Sequence, residues 1–217
     1  MKKKISLIYK ILILIACTIS IYLNFEAFTV QGAVIYYTVQ SNIICFLFYL
    51  VTIILYLTKK LKKNNLYYIF KGFVTIAITI TFFVYWIALS SNMSGYEGHE
   101  LACIFAHLIV PLSIMLDYAI FGEKGNLKSN YPFIWSTSLL LYLLFNIIYV
   151  LLGGTFYGGS IYPYPYMNVE EYGLIGVSVN CLMIYIFVIG YGTIIQQIDN
   201  KLGKNKKQEV FKYGRTT

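Results

Sequence analysis

Charge is what this sequence most lacks. Only 12% of its 217 residues are Asp, Glu, Lys or Arg, about half the share found in an ordinary soluble domain. At the same time 59% are hydrophobic and the mean hydropathy is +0.68. That balance excludes a soluble globular domain. Histidine is scarcer still, with two residues, and neither has enough His or carboxylate neighbours in the sequence to complete a metal site. Four cysteines, Cys17, Cys45, Cys103 and Cys181, show no paired spacing of the metal or redox kind. They fall inside apolar runs and read as small apolar residues, so disulfides are not expected. No phosphate-cradling glycine loop or dinucleotide fingerprint occurs, and no cofactor is expected.

What the chain has instead is six long apolar stretches, near residues 5–25, 33–58, 66–90, 101–122, 131–152 and 172–198. Each suits the roughly 20 residues needed to cross a bilayer core. They predict an all-α, polytopic membrane protein, a six-transmembrane-helix bundle over residues 1–198 followed by a basic tail, 199–217.

A second absence sets the orientation. With six spans, the three connections on one side contain no lysine or arginine and carry only Glu26, Glu97, Glu100, Glu170 and Glu171. All 17 basic residues fall on the other side, from Lys2 to Lys10, Lys59 to Lys71, Lys124 and Lys128, and Lys201 to Arg215. The positive-inside rule then makes both termini cytoplasmic, in a cell membrane. The net charge of +8 is therefore a topology signal. No arrangement of basic residues on a folded nucleic-acid surface is evident. The tail either rests on anionic headgroups or is a solvated end.

The amino end, "MKKKISLIYKILILIACTIS", imitates a secretory signal, and "LIAC" imitates the cleavage box of lipoproteins. The apolar run nevertheless continues through "TISIYLNF" to spanning length, so an uncleaved first helix is expected, with Lys10 snorkelling to the surface.

Several polar residues share one depth. Counting from the lysine-free ends at about 1.5 Å per residue, His107 lies roughly 10 Å in and Thr38 roughly 8 Å in. Asn146, Ser178 and Asn180 fall in the same half. Thr38, Ser41 and Asn42 are spaced i, i+3, i+4 and share a helix face, which Cys45 and Tyr49 continue. Matched polar stripes suggest an inward cavity, because lipid-facing polar groups go unsatisfied. For Ser41, Asn42, Asn146, Ser178 and Asn180 the favoured reading is helix–helix glue, and for Thr38 taken alone the same reading is favoured. His107 differs: an ionisable residue inside a membrane span is functional by default, and removal from water keeps its imidazole neutral and available as a base. Pro111 cannot donate to the carbonyl of His107, four residues earlier, so a bend and a free acceptor are expected there. His99 is expected to face solvent. Asp117, about 15 Å from His107 by helix rise, is too distant to orient the imidazole and is expected to pair with a loop lysine. Trp86 and Trp135 are expected in interfacial belts. The connection "GGTFYGGSIYPYPYMNVEEYG" is either an interfacial aromatic loop or a lid over a lipid-sized entrance.

Three motifs, "YYTVQSN", "HLIVPLSIMLD" and "YPYP", together with the six-span plan, resemble bacterial relatives of the androgen-induced-gene family of membrane proteins. The likeness covers nearly the whole chain. Animal members are threonine-dependent hydrolases of fatty acid esters of hydroxy fatty acids, and their nucleophilic threonine and essential histidine match Thr38 and His107. The resemblance thus implies a lipid ester hydrolase in the outer half of the bilayer. A threonine hydroxyl is a weak nucleophile and needs an adjacent base, which a neutral imidazole at the same depth supplies. Asn42, Asn146 or Asn180 are the candidate oxyanion donors. No acidic residue is placed to orient the ring, so a backbone carbonyl or another polar group must hold it.

Two other functions fit the same residues. One is a non-catalytic lipid- or solute-binding protein or carrier, for which paired broken helices would be the sign; no internal repeat is apparent. The other is a membrane acyltransferase that uses the same pair with an alcohol as acceptor. The partners implied are membrane lipids and a lipid ester; the sequence leaves the oligomeric state open.

Overall fold

The structure, a computed structural model, describes the backbone of residues 2–90 and 96–213 and the side chains of those up to residue 205. Among the described residues the chain is all-helical: α1 (Lys2–Val34), α2 (Tyr37–Leu57), α3 (Asn65–Leu89), α4 (Glu100–Phe121), α5 (Tyr131–Leu151) and α6 (Val169–Tyr213). All six are long and apolar enough to cross a membrane. Such composition follows from runs of Leu, Ile and Phe on most faces, as expected of helices that bury little of their surface in one another. Exposed side chains are accordingly large and apolar, among them Ile87, Leu151 and Ile175.

Helix α3 is central, packing against α2, α4, α5 and α6, while α1 packs against α2 and α4. Its residues from Val74 to Thr81 are buried without a break. Two clusters form the core, one around Ile76, Tyr131 and Trp135, the other around Ile13, Cys45 and Ile78.

The helix ends depart from the hydropathy boundaries in two places. At α1 the helix breaks at Thr29 (φ 60°, ψ 166°) and resumes for one turn. The Thr29 hydroxyl accepts the Gly32 N–H at 3.3 Å, an N-cap for that new turn. Only Ile35 and Tyr36 then separate α1 from α2. At the other end, the expected tail is not a separate segment: α6 continues as helix to Tyr213. Asp199, 1% exposed, accepts from the backbone N–H groups of Gly125 and Asn126 and from the Tyr118 hydroxyl. Gln196 and Asn200 both donate to the Leu127 carbonyl, and Gly203 lies against Gly125 with no room for a side chain on either. These bonds clamp the α4–α5 connection to α6 where hydropathy alone sees a polar end. Lys201 and Lys204 face solvent; Arg215 lies outside the described residues.

Two further expectations are corrected at the lysine-bearing end. Trp135 is not in an interfacial belt but fully buried, its indole donating to the Ile69 carbonyl at 3.0 Å. Gly72 makes this possible, since a Cβ there would collide with the indole. Asp117 pairs not with a loop lysine but with Lys10 of α1 and Lys71 of α3, and it accepts from Tyr49 of α2 at 3.0 Å. Lys10 therefore turns inward rather than snorkelling. A carboxylate with no exposed surface is tolerable only when such partners surround it.

Candidate active site

Thr38 is the second residue of α2, whose preceding residue Tyr36 is extended (φ −92°, ψ 140°) and accepts the Val39 and Gln40 N–H groups on its carbonyl. His107 comes from α4, entering from the same lysine-free end. The equal depths counted from sequence bring them together: Thr38 Oγ1 lies 3.2 Å from His107 Nε2, and both residues are buried.

The imidazole has a defined tautomer. Its Nδ1 is 3.1 Å from the carbonyl of Cys103, an oxygen that can only accept. Nδ1 therefore carries the hydrogen, which assigns the Nε2 lone pair to the side facing Thr38. The role taken elsewhere by a carboxylate is filled by a backbone carbonyl one turn earlier in the same helix. Tyr85 stacks on the ring at 3.9 Å between centroids, and Tyr96 closes the edge at 5.6 Å. Tyr96 is itself tied to Asn24 of α1 by a 2.9 Å bond from its hydroxyl.

The local backbone explains why these groups converge. The Phe105 carbonyl accepts the N–H of Val110, five residues on, forming a π turn over Phe105–Ile109. A second π turn, Tyr85–Leu89 in α3, faces it. Single π turns widen a helix and re-aim its side chains, and they recur at functional sites. Pro111, just beyond the first, provides no N–H, and the His107 carbonyl it leaves is taken by the Trp86 indole N–H at 3.0 Å. The free acceptor read from sequence thus has a partner. Trp86 is itself partly exposed, and its polar edge serves the site.

The polar stripe on α2 sits behind Thr38 as support. Ser41 Oγ and Asn42 Nδ2 both bond the Thr38 carbonyl, at 2.9 and 2.8 Å, and Ser41 also meets Thr81 of α3 at 2.8 Å. Asn42 Oδ1 accepts from Ser20 of α1. Neither residue lines the open space in front of Thr38, and Asn42, with its amide engaged, is not an oxyanion donor. Asn180 is likewise engaged, donating to the Tyr166 carbonyl at 3.0 Å. Asn146 is buried with no hydrogen-bond partner for either amide atom and also lies away from that space. Ser178 does reach it, while bonding back to Leu174. His99 faces solvent.

That space is a cavity of about 370 Å³. Thr38 and His107 lie in its wall; most of the remainder is aliphatic or aromatic, from α3, α5 and α6. It reaches the flank of the bundle between α5 and α6, where the exposed side chains of Leu140, Leu143 and Leu182 line it. The connection between those helices covers one end, contributing Tyr164 and Met167. It is pinned at its start by the Tyr157 N–H, which donates to the Tyr36 hydroxyl, and near its end by Asn180.

Three contributors were not visible as such in the sequence: Tyr85, Tyr164 and the Cys103 carbonyl. "YPYP" marked the segment that carries Tyr164, but nothing marked its direction. Among the described residues no three His, Cys, Asp or Glu side chains converge as metal ligands would. A hydroxyl facing an imidazole lone pair beside an apolar, side-opening cavity is an arrangement suited to acyl chemistry on an amphiphile. No family model, curated protein or solved structure matches the chain, so that arrangement stands on its own geometry.

Proposed function

We propose that the chain is an integral-membrane lipid ester hydrolase in which Thr38 is the nucleophile and His107 the base. In this reading the six helices cross a cell membrane, the lysine-bearing end faces the cytoplasm, and the site lies beneath the opposite face. Kinship with the androgen-induced-gene hydrolases, suggested by the motifs around Thr38, His107 and Tyr164, belongs to the same proposal. The observation that carries it is the 3.2 Å approach of Thr38 Oγ1 to His107 Nε2 in the wall of a cavity open to the flank of the bundle.

A lipid ester enters between α5 and α6 with its acyl chain against the leucines. As the Thr38 oxygen attacks the ester carbon, its proton passes to His107 Nε2. The tetrahedral intermediate collapses, and the departing alkoxide takes that proton. Water, deprotonated by the same nitrogen, then releases the acid from the acyl-threonine. Throughout, Nδ1–H stays on the Cys103 carbonyl, so the base acts without a carboxylate behind it.

The test is labelling by a fluorophosphonate probe and hydrolysis of a long-chain ester in micelles. Thr38→Ala and His107→Ala should each lower turnover by on the order of 10⁴-fold or more, with thermal unfolding unchanged. Labelling that persists in both variants removes this mechanism.

A further inference from the structure

The reaction just described generates a negatively charged oxygen, yet none of the three asparagines expected to meet it is available. Asn42 and Asn180 hold backbone carbonyls, and Asn146 lies off the cavity. We infer that Tyr164, from the connection between α5 and α6, is the oxyanion donor of the Thr38–His107 site; this rests on the hydrolase reading.

Tyr164 lines the same cavity wall as Thr38. Its hydroxyl lies near the hydroxyls of Thr38 and Tyr142 and the backbone of Tyr37, at the start of α2. The ring is fixed on several sides, stacked on Tyr166 at 5.5 Å with 10° between planes, and tilted against Tyr36 and Tyr142 at 6.1 and 6.3 Å. Pro163 and Pro165 flank it and restrict the backbone that presents it. Asn180, by bonding the Tyr166 carbonyl, anchors that backbone to α6. A donor so constrained needs no reorganisation when charge develops, which is the condition for effective oxyanion stabilisation.

The step balances without further reagents. As the Thr38 oxygen bonds to the ester carbon, the carbonyl π pair moves onto oxygen. Tyr164 donates a hydrogen bond to that oxygen and keeps its proton, and the bond reverts when the C=O re-forms and the alkoxide leaves. Withdrawal from solvent pushes the Tyr164 hydroxyl up to about 12, so it remains an O–H donor at neutral pH. The connection is therefore more than a cover: it brings a reacting group to the site from outside the helix bundle.

The experiment measures kcat and KM for a long-chain ester, and acylation of Thr38 by mass spectrometry, in the wild type, Tyr164→Phe and Tyr162→Phe. Tyr162 lies in the same connection outside the cavity wall and serves as a matched loss of a hydroxyl. Tyr164→Phe should lower kcat by about 10²- to 10³-fold, with KM and thermal unfolding unchanged and with the shape of the pH–rate profile retained near neutrality. Tyr162→Phe should match the wild type. Wild-type kcat in Tyr164→Phe, a loss confined to KM, or equal losses in both variants overturns the role of Tyr164 and leaves the Thr38 mechanism standing. A wild-type protein that neither turns over nor acquires an acyl group on Thr38 overturns both.

Discussion

Two groups of polar side chains are buried at opposite ends of the same bundle, and they meet the cost of burial in different ways. At the lysine-bearing end, Asp117, Lys10, Lys71 and Tyr49 close on one another from four helices. Each oxygen of Asp117 has a donor, and the cluster is spent on holding α1 to α4 together. At the other end Thr38 and His107 have no charged partner: the imidazole rests on one backbone carbonyl, and its other nitrogen faces the Thr38 hydroxyl beside a cavity. Burial of charge needs counter-charge, whereas burial of a neutral base needs only one fixed hydrogen bond. The first arrangement makes a clamp and the second leaves chemistry possible.

Removing the clamp's centre should have the largest effect on the fold. Asp117→Asn leaves two ammonium groups without a counter-charge and should cost about 3–5 kcal/mol, read by denaturant titration in micelles. Replacing the whole cluster with apolar residues (K10M, Y49F, K71M and D117L together) should recover most of that loss and retain ester hydrolysis. Recovery of stability with loss of hydrolysis would mean that the two ends are not separate. A smaller effect is expected where the neutral site depends on its carbonyl partner. Trp86→Phe deprives the His107 carbonyl of its donor, and should cost about 1–2 kcal/mol together with a partial fall in kcat, measured side by side. Smallest of all is Glu123→Gln. Desolvation pushes that carboxyl up, but the Lys63 and Tyr68 bonds outweigh it and hold it below its usual range. Since Glu123 is half-exposed, screening limits the change to under about 1 kcal/mol, checked by unfolding at neutral pH. The sign also predicts that this small contribution fades as pH falls through the carboxylate range.

The comparison also separates what was legible in the sequence from what was not. Six apolar helices could be read from hydropathy, and the meeting of Thr38 with His107 from counting depth along helices of known rise. Pro111 announced a vacant acceptor at His107. Periodicity assigns a residue to a face, but it does not name the partner across the gap. So Trp86 as the donor to the His107 carbonyl, Lys10 and Lys71 in place of a loop lysine, and the engaged amides of Asn42 and Asn180 all required the packed helices. The π turns were invisible because no residue type demands them. The continuation of α6 has a related cause: Asp199 and Asn200 look like the start of a polar tail after the apolar run, but with Gln196 their side chains are occupied by the backbone of residues 125–127.

The carbonyl that steadies the imidazole has a consequence for how this chain can vary. A carboxylate in that position can be deleted by one codon change and can be silenced by acid. The oxygen of Cys103 belongs to the main chain, so it persists through every side-chain replacement at position 103 that keeps the helix intact, and it has no proton to gain in the physiological range. The orientation of the imidazole is thereby inherited with the helix itself, leaving natural drift free to reshape the surrounding wall without turning Nε2 away from Thr38.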